Sequence, residues 1–145
     1  MAITTSVICN SFKKELLEAT HNFSSGSGNS FKLALYTNSA TLGKSTTSFT
    51  TDNQVSNTGQ YTSGGGALTN GGTSLSTNTA IIDFADRSFT GVTLTARGAL
   101  IYNDTASGDP AVAVLDFGGD KSASSGTFTI QFPAFTASAA ILRIT

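Results

Sequence analysis

Hydrophobic and polar residues alternate along several separate stretches of this chain, and this two-residue period limits the fold more than any other feature. In "GTFTIQF" the residues Phe128, Ile130 and Phe132 share one phase, with Thr and Gln between them. Successive side chains of a strand point to opposite faces, so the pattern predicts a strand with one buried face. The same argument predicts strands in "FKLALYT", "TAIIDFA", "GVTLTARGALIYN" and "AAILRIT".

The stretch "AVAVLDFG" differs because it is apolar in both phases, which predicts a central strand that is buried on both sides. We expect it to end at Asp116, before a turn at Gly118, Gly119 and Asp120. About seven strands with turn residues between them are typical of a mainly β fold. The expected architecture is therefore an antiparallel β-sandwich, jelly-roll-like, with one N-terminal helix.

The helix is predicted near the start, in "SVICNSFKKELLEATHNF". Ile8, Phe12 and Leu16 recur every four residues and form one apolar stripe, whereas the charged residues lie on other faces. We expect the helix to end near His21, the only histidine, which would cap its last turn.

The chain therefore divides into a helical arm at residues 1–23, a flexible linker "SSGSGNS" at residues 24–30 and a β-sandwich domain at residues 31–145. The arm can pack on its own sandwich or on a neighbouring subunit. The second placement is favoured, because the charged face would stay in water while the stripe docks. Ile8, Phe12 and Leu16 are accordingly predicted interface residues.

Composition excludes several classes of function. Charged residues make up only 12% of the chain and the net charge is −1, with the basic residues scattered, which argues against direct nucleic-acid binding. No apolar stretch approaches the length of a membrane helix, and no secretory signal is visible, so synthesis in a reducing cytoplasm is expected. Cys9 is the single cysteine, which excludes an internal disulfide and predicts a buried, inert thiol.

No set of residues predicts catalysis, a metal or a cofactor. With a single histidine no Ser–His–Asp set can be argued, and a transition-metal site would need more N or S ligands. The spacing of the aspartates lacks the alternation of a calcium loop. A hydrolase with Asp83 and Asp86 as paired carboxylates is the weakest hypothesis. The candidate calcium ligands are the four aspartates that flank the strand "AVAVLDFG", namely Asp104, Asp109, Asp116 and Asp120.

The pair Arg97-Gly98 lies inside a predicted strand, in "TARGALIYND". Gly98 predicts a bend, a bulge or a close backbone approach. The planar guanidinium of Arg97 suits a carboxylate or the backbone carbonyls of a neighbour, so Arg97 is a predicted interface residue, as is Tyr102.

The stretches "TARGALIYND", "AVAVLDFGGDK", "GTFTIQFP" and "AAILRI", together with "NSFKKELLEATHNF" at the start, resemble small virion structural proteins of tailed bacteriophages. The similarity is to those of marine cyanobacterial phages in particular. It implies a particle component without enzymatic activity, made in the host bacterial cytoplasm and located in the virion.

The resemblance leaves two functions open. The first is a capsid decoration or cement protein, a homo-oligomer that contacts the major capsid protein or other virion proteins. The alternative is a tail, neck or fibre accessory that binds a receptor or a glycan. In the alternative, Tyr36, Tyr61 and Tyr102 would form an exposed binding face.

Overall fold

Two antiparallel sheets and one short helix form the fold, as the alternation predicts. The computed structural model describes residues 3–145. In chain order the elements are β1 (Val7–Ile8), α1 (Asn10–Leu17), β2 (Phe31–Tyr36), β3 (Gly66–Ala67), β4 (Asn70–Ser76), β5 (Thr79–Phe84), β6 (Arg87–Asn103), β7 (Ala111–Ile130) and β8 (Leu142–Ile144).

The larger sheet has the strand order β1-β7-β6-β2-β3, and the smaller sheet has the order β4-β5-β8. Every strand pair is antiparallel. The sheets meet through Phe84 of β5, whose ring centroid lies 5.9 Å from that of Phe31 in β2. The mainly β, antiparallel fold with one helix is confirmed, whereas the jelly-roll connectivity stays a prediction.

The long hairpin of β6 and β7 is the backbone of the larger sheet. The loop at residues 104–110 joins the two strands, at the place where the sequence predicts a hairpin loop. The predicted turn after Asp116 is wrong, because β7 continues to Ile130. Ala96 pairs with Lys121 and Gly98 pairs with Asp116, so the intervening residues of β7 bulge opposite Arg97. The Gly118-Gly119 pair is thus absorbed in a bulge, which bends a strand without ending it.

The two ends of this hairpin differ in burial. At the end near the loop, residues 98–103 of β6, which pair with β2, are all buried. Residues 111–114 of β7, on the other side of β6, are buried as well. This agrees with the prediction of a strand buried on both sides. Farther out, Phe89, Val92 and Leu94 are buried while the residues between them are exposed. One face of the outer hairpin is therefore polar and rich in Thr and Ser.

The helix α1 is shorter than predicted and ends at Leu17 instead of near His21. Ala19 has φ of 59°, a left-handed conformation that ends a helix. Phe12 is buried against the chain's own aromatic residues, with its ring centroid 4.8 Å from that of His21 and 5.9 Å from that of Phe23. Phe12 of the arm is therefore buried within its own chain, and docking of the arm on a neighbouring subunit stays a prediction.

The linker predicted to be flexible forms a closed loop with specific hydrogen bonds. Asn22 N donates to Asn29 Oδ1 at 2.8 Å, and Asn29 N donates to Asn22 O at 2.8 Å. Within the loop, Gly28 N donates to Ser24 O at 2.9 Å. Polar, glycine-rich composition thus supplies a compact loop here, because the two asparagines close it at its ends.

Candidate interaction surface

An apolar groove runs between α1 and the smaller sheet. Its cavity has a volume of about 760 Å³, within the range of ligand and peptide pockets. The stripe predicted from the sequence forms one wall, through Ile8, Phe12 and Leu16. The opposite wall comes from β5 and β8, through Ala80, Ile82, Leu142 and Ile144. We call this cavity and its rim the arm groove.

The sheet wall of the arm groove extends beyond the protein core. Leu75, Ala80 and Ile144 are direct partners across three strands, so they form one row on the same face of the sheet. Leu75 is 72% exposed and Ile144 is 61% exposed. In the next row Ile82 and Leu142 are buried. The apolar face of the smaller sheet is therefore buried in one row and exposed to solvent in the next.

The helix adds a third exposed apolar residue. Leu17, at the end of α1, is 92% exposed, whereas Leu16 beside it is half-buried and lines the groove. Lys13 lines the groove as well, and its exposed ammonium makes no ion pair among the described residues. The arm groove is thus an apolar surface with a cation at its rim.

His21 lies beside this groove, beyond the end of α1 at Leu17, so it does not cap the helix as the sequence predicts. Its side chain is fully buried, and Nδ1 lies 3.1 Å from Asn103 Nδ2 of β6. On the other side of the ring, Nε2 lies 3.5 Å from Glu15 Oε1 of α1. Burial lowers the pKa of His21, and the nearby Glu15 opposes this shift.

Arg97 makes the kinds of contact predicted for it, but with its own chain. Its Nη2 lies 3.3 Å from Asp116 Oδ1 of β7, and its Nε donates to Ile3 O at 3.1 Å. Gly98 permits this arrangement, because a Cβ there would lie against the Leu115 carbonyl oxygen and 2.8 Å from Ile3 Cδ1. The predicted close approach at Gly98 is confirmed, and Arg97 fastens the start of the chain to the hairpin.

The expected face of exposed tyrosines is wrong, since all three are buried. Tyr36 Oη donates to Thr50 O at 2.6 Å, and Tyr102 Oη donates to Gly64 O at 2.6 Å. Tyr61 Oη accepts from Leu35 N at 2.8 Å, and burial raises the pKa of Tyr61 to about 12. Each hydroxyl anchors a loop to the sheet, so Tyr102 has no exposed surface to offer a partner.

Of the two candidate carboxylates, Asp86 has a structural partner, whereas Asp83 Oδ1 is buried without a hydrogen-bond partner among the described residues. Asp86 Oδ1 accepts from Phe132 N at 2.8 Å, and burial raises the pKa of the Cys9 thiol to about 11, with Glu15 adding to it. Within residues 3–145, no three His, Cys, Asp or Glu side chains lie together in a way that would hold a metal ion. No helix in the same range is long and apolar enough to cross a membrane.

Sequence reasoning found one wall of the arm groove and missed the other. Ile8, Phe12 and Leu16 come together as their spacing predicts, while Arg97 and Tyr102 lie elsewhere. The missed wall belongs to strands whose existence was predicted but whose pairing was not. The signal in the sequence is the run of apolar residues in "TAIIDFA" and "AAILRIT", which exceeds what one buried face needs.

Comparisons with protein families, with curated proteins and with solved structures found no match to this chain.

Proposed function

We propose that this protein is a non-enzymatic structural component of a bacteriophage virion, and specifically a capsid decoration or cement protein. The arm groove is the surface that would contact the other capsid proteins. Localisation in the virion and assembly from several copies belong to the same proposal.

The observation that carries the proposal is the exposed apolar row that Leu75 and Ile144 form beside the arm groove. Single exposed apolar residues are ordinary, but apolar residues grouped at a concave surface mark sites of protein association. Burying such residues against a partner removes apolar area from water, at roughly 25 cal/mol per Å². A low content of charge also suits a lattice protein, because fewer charged groups must be desolvated between subunits.

The alternative of a tail, neck or fibre accessory remains. The exposed tyrosine face that was predicted to bind a receptor or a glycan is, however, absent among the described residues. The tyrosines that would have stacked on a glycan are buried, with their hydroxyls bound to backbone groups. The hydrogen bond of Asp86 to the backbone likewise gives that carboxylate a structural role. The arm groove, in contrast, is open to a protein partner.

Reconstitution on capsids that lack this protein tests the proposal. Purified wild-type protein is mixed with such capsids, and the copies bound per capsid are counted by quantitative mass spectrometry and located by electron microscopy. We expect a fixed ratio to the major capsid protein. Binding to tails or necks alone, or no binding to the particle, would contradict the decoration assignment.

A matched pair of variants assigns the contact to the arm groove. Leu75→Asp places a charge in the exposed row, whereas Ser74→Asp places the same charge on the opposite face of the same strand. We expect the first to reduce capsid binding at least tenfold and the second to leave it unchanged. Equal binding by both variants would exclude the groove as the contact.

A further inference from the structure

A buried polar cluster joins the arm to the turn of the long hairpin. Asn103 Oδ1 accepts from Thr105 N at 3.0 Å and from Ala106 N at 3.1 Å, which fixes the orientation of its amide. Nδ2 consequently points to the arm, 2.9 Å from Asn29 Oδ1 and 3.1 Å from His21 Nδ1. One side chain thus binds the hairpin turn, the linker and the end of the arm.

This orientation determines the proton position on His21. Both hydrogens of an amide Nδ2 are donors, so His21 Nδ1 must be the acceptor. The neutral ring therefore carries its proton on Nε2, which faces Glu15 Oε1 at 3.5 Å. Adding a second proton, to Nδ1, would place two N–H groups against each other at 3.1 Å.

The surroundings of His21 offer little compensation. Glu15 of α1 is the charged group that faces it, already on the Nε2 side, while Asn103 of β6 and Asn29 of the linker are neutral. Asp104, which follows Asn103, lies 3.3 Å from Lys32 Nζ of β2. The other neighbours are the rings of Phe12, Phe23 and Phe31. Protonation would require Asn103 to turn its amide and give up both N–H groups of the hairpin turn.

We propose that His21 and Asn103 form a pH-sensitive latch that holds the N-terminal arm. Protonation of His21 at Nδ1 displaces the Asn103 amide and releases residues 10–29 from the hairpin. The proposal is independent of the protein's place in a virion, since it concerns contacts within one chain.

Release of the arm would change the surface of the protein. Helix α1 is one wall of the arm groove, and Phe12 covers Phe23. A displaced arm would expose both rings and leave the smaller sheet without its facing wall. Acidification thereby converts a groove into two separate apolar surfaces.

Nuclear magnetic resonance tests the proton position directly, because the chain has a single histidine. In ¹⁵N-labelled full-length protein at neutral pH we expect the tautomer with the proton on Nε2. The imidazole should titrate below the ordinary value of about 6.5. A ring protonated on Nδ1, or one that titrates above that value, would overturn the latch.

Hydrogen–deuterium exchange tests the release. Protection factors of residues 10–29 are compared with those of β2 at about pH 7.5 and about pH 5.5, after correction for intrinsic exchange. We expect protection of the arm to fall by up to about tenfold for each pH unit in which His21 is protonated only in the open form. Protection of β2 should stay constant. An arm equally protected at both pH values would refute the proposal.

Two variants separate the latch from general acid sensitivity. His21→Asn places a carbonyl oxygen where Nδ1 stood, and this oxygen accepts from Asn103 but does not titrate near neutrality, so arm protection should become independent of pH. Asn103→Asp provides a carboxylate that accepts from a protonated Nδ1, so acidification should increase arm protection. If His21→Asn kept the wild-type pH dependence, another group would be responsible and the latch would be excluded, even if Asn103→Asp failed to fold.

Discussion

Strand β6 holds the N-terminal part of the chain at two places, and the two anchors work by different physics. Arg97 is charged, its side chain is 22% exposed, and it binds the Asp116 carboxylate and the Ile3 carbonyl. Asn103 is neutral and fully buried, and it binds His21, Asn29 and two backbone N–H groups. When the first anchor breaks, water can reach its groups. When the second breaks, the fully buried side chains of Asn103 and His21 lose their mutual contact where water has little access, which is the more costly outcome.

The largest effect should come from Asn103→Ala. It removes the partner of the buried His21 Nδ1, the acceptor of two N–H groups in the hairpin turn and one of the two donors to Asn29 Oδ1, and we expect the free energy of unfolding to fall by about 3 kcal/mol. Urea denaturation followed by circular dichroism measures this loss. A loss no larger than that of Arg97→Ala would erase the difference between the anchors.

Arg97→Ala should cost less, about 1.5 kcal/mol, because its partners lie where water can replace the guanidinium. The same denaturation experiment applies, with Arg97→Lys as the control that keeps the charge but loses the planar geometry. We expect Arg97→Lys to recover only part of the loss. Full recovery would mean that charge alone matters at this site.

The pH dependence of stability should follow the buried anchor. Since the pKa of His21 is lowered in the folded chain, the unfolded chain binds a proton first as the pH falls. Stability is therefore complete above the unfolded value and declines as the pH falls from about 6.5 towards the folded pKa, by at most about 1.4 kcal/mol per pH unit. Thermal unfolding of wild type and His21→Asn across this range measures it. Parallel curves for the two proteins would contradict this assignment.

Added salt should produce the smallest effect, confined to the charged anchor. At about 1 M NaCl the Debye length is about 3 Å, which weakens partly exposed pairs such as Arg97–Asp116 by about 0.5 kcal/mol. The neutral contacts of Asn103 carry no net charge to screen. We expect the stability difference between wild type and Arg97→Ala to shrink in salt, and the difference for Asn103→Ala to persist.

The parts of the fold that could be predicted are those with local causes. Alternation predicts the bounds of β2 and β5 closely because a strand period is visible within a few residues, although β2 is buried on both faces where one buried face was expected. Gly98 was interpreted correctly, since a missing Cβ has few uses inside a strand. Half of the candidate site followed from the spacing of Ile8, Phe12 and Leu16, although Ile8 lies in β1 and only Phe12 and Leu16 are on α1.

The errors arose where a distant contact decides the structure. Gly118-Gly119 resembles a turn, but pairing with β6 turns it into a bulge. The tyrosines looked suited to the surface, yet each hydroxyl finds a backbone partner far along the chain, as Tyr102 does at Gly64. His21 and Asn103 are separated by 82 residues, and neither position carries a local pattern that indicates the other.

That separation also matters during synthesis on the ribosome. The arm is translated before Asn103 and before Val112. The carbonyl of Val112 accepts a hydrogen bond from Cys9 N, next to the helix, at 3.0 Å. At roughly 5–20 residues per second, the 82 residues between His21 and Asn103 correspond to a delay of several seconds. During this interval His21 lacks its Asn103 partner and Cys9 N lacks the Val112 carbonyl. The first residues of this chain thus cannot complete their contacts until the hairpin has been made.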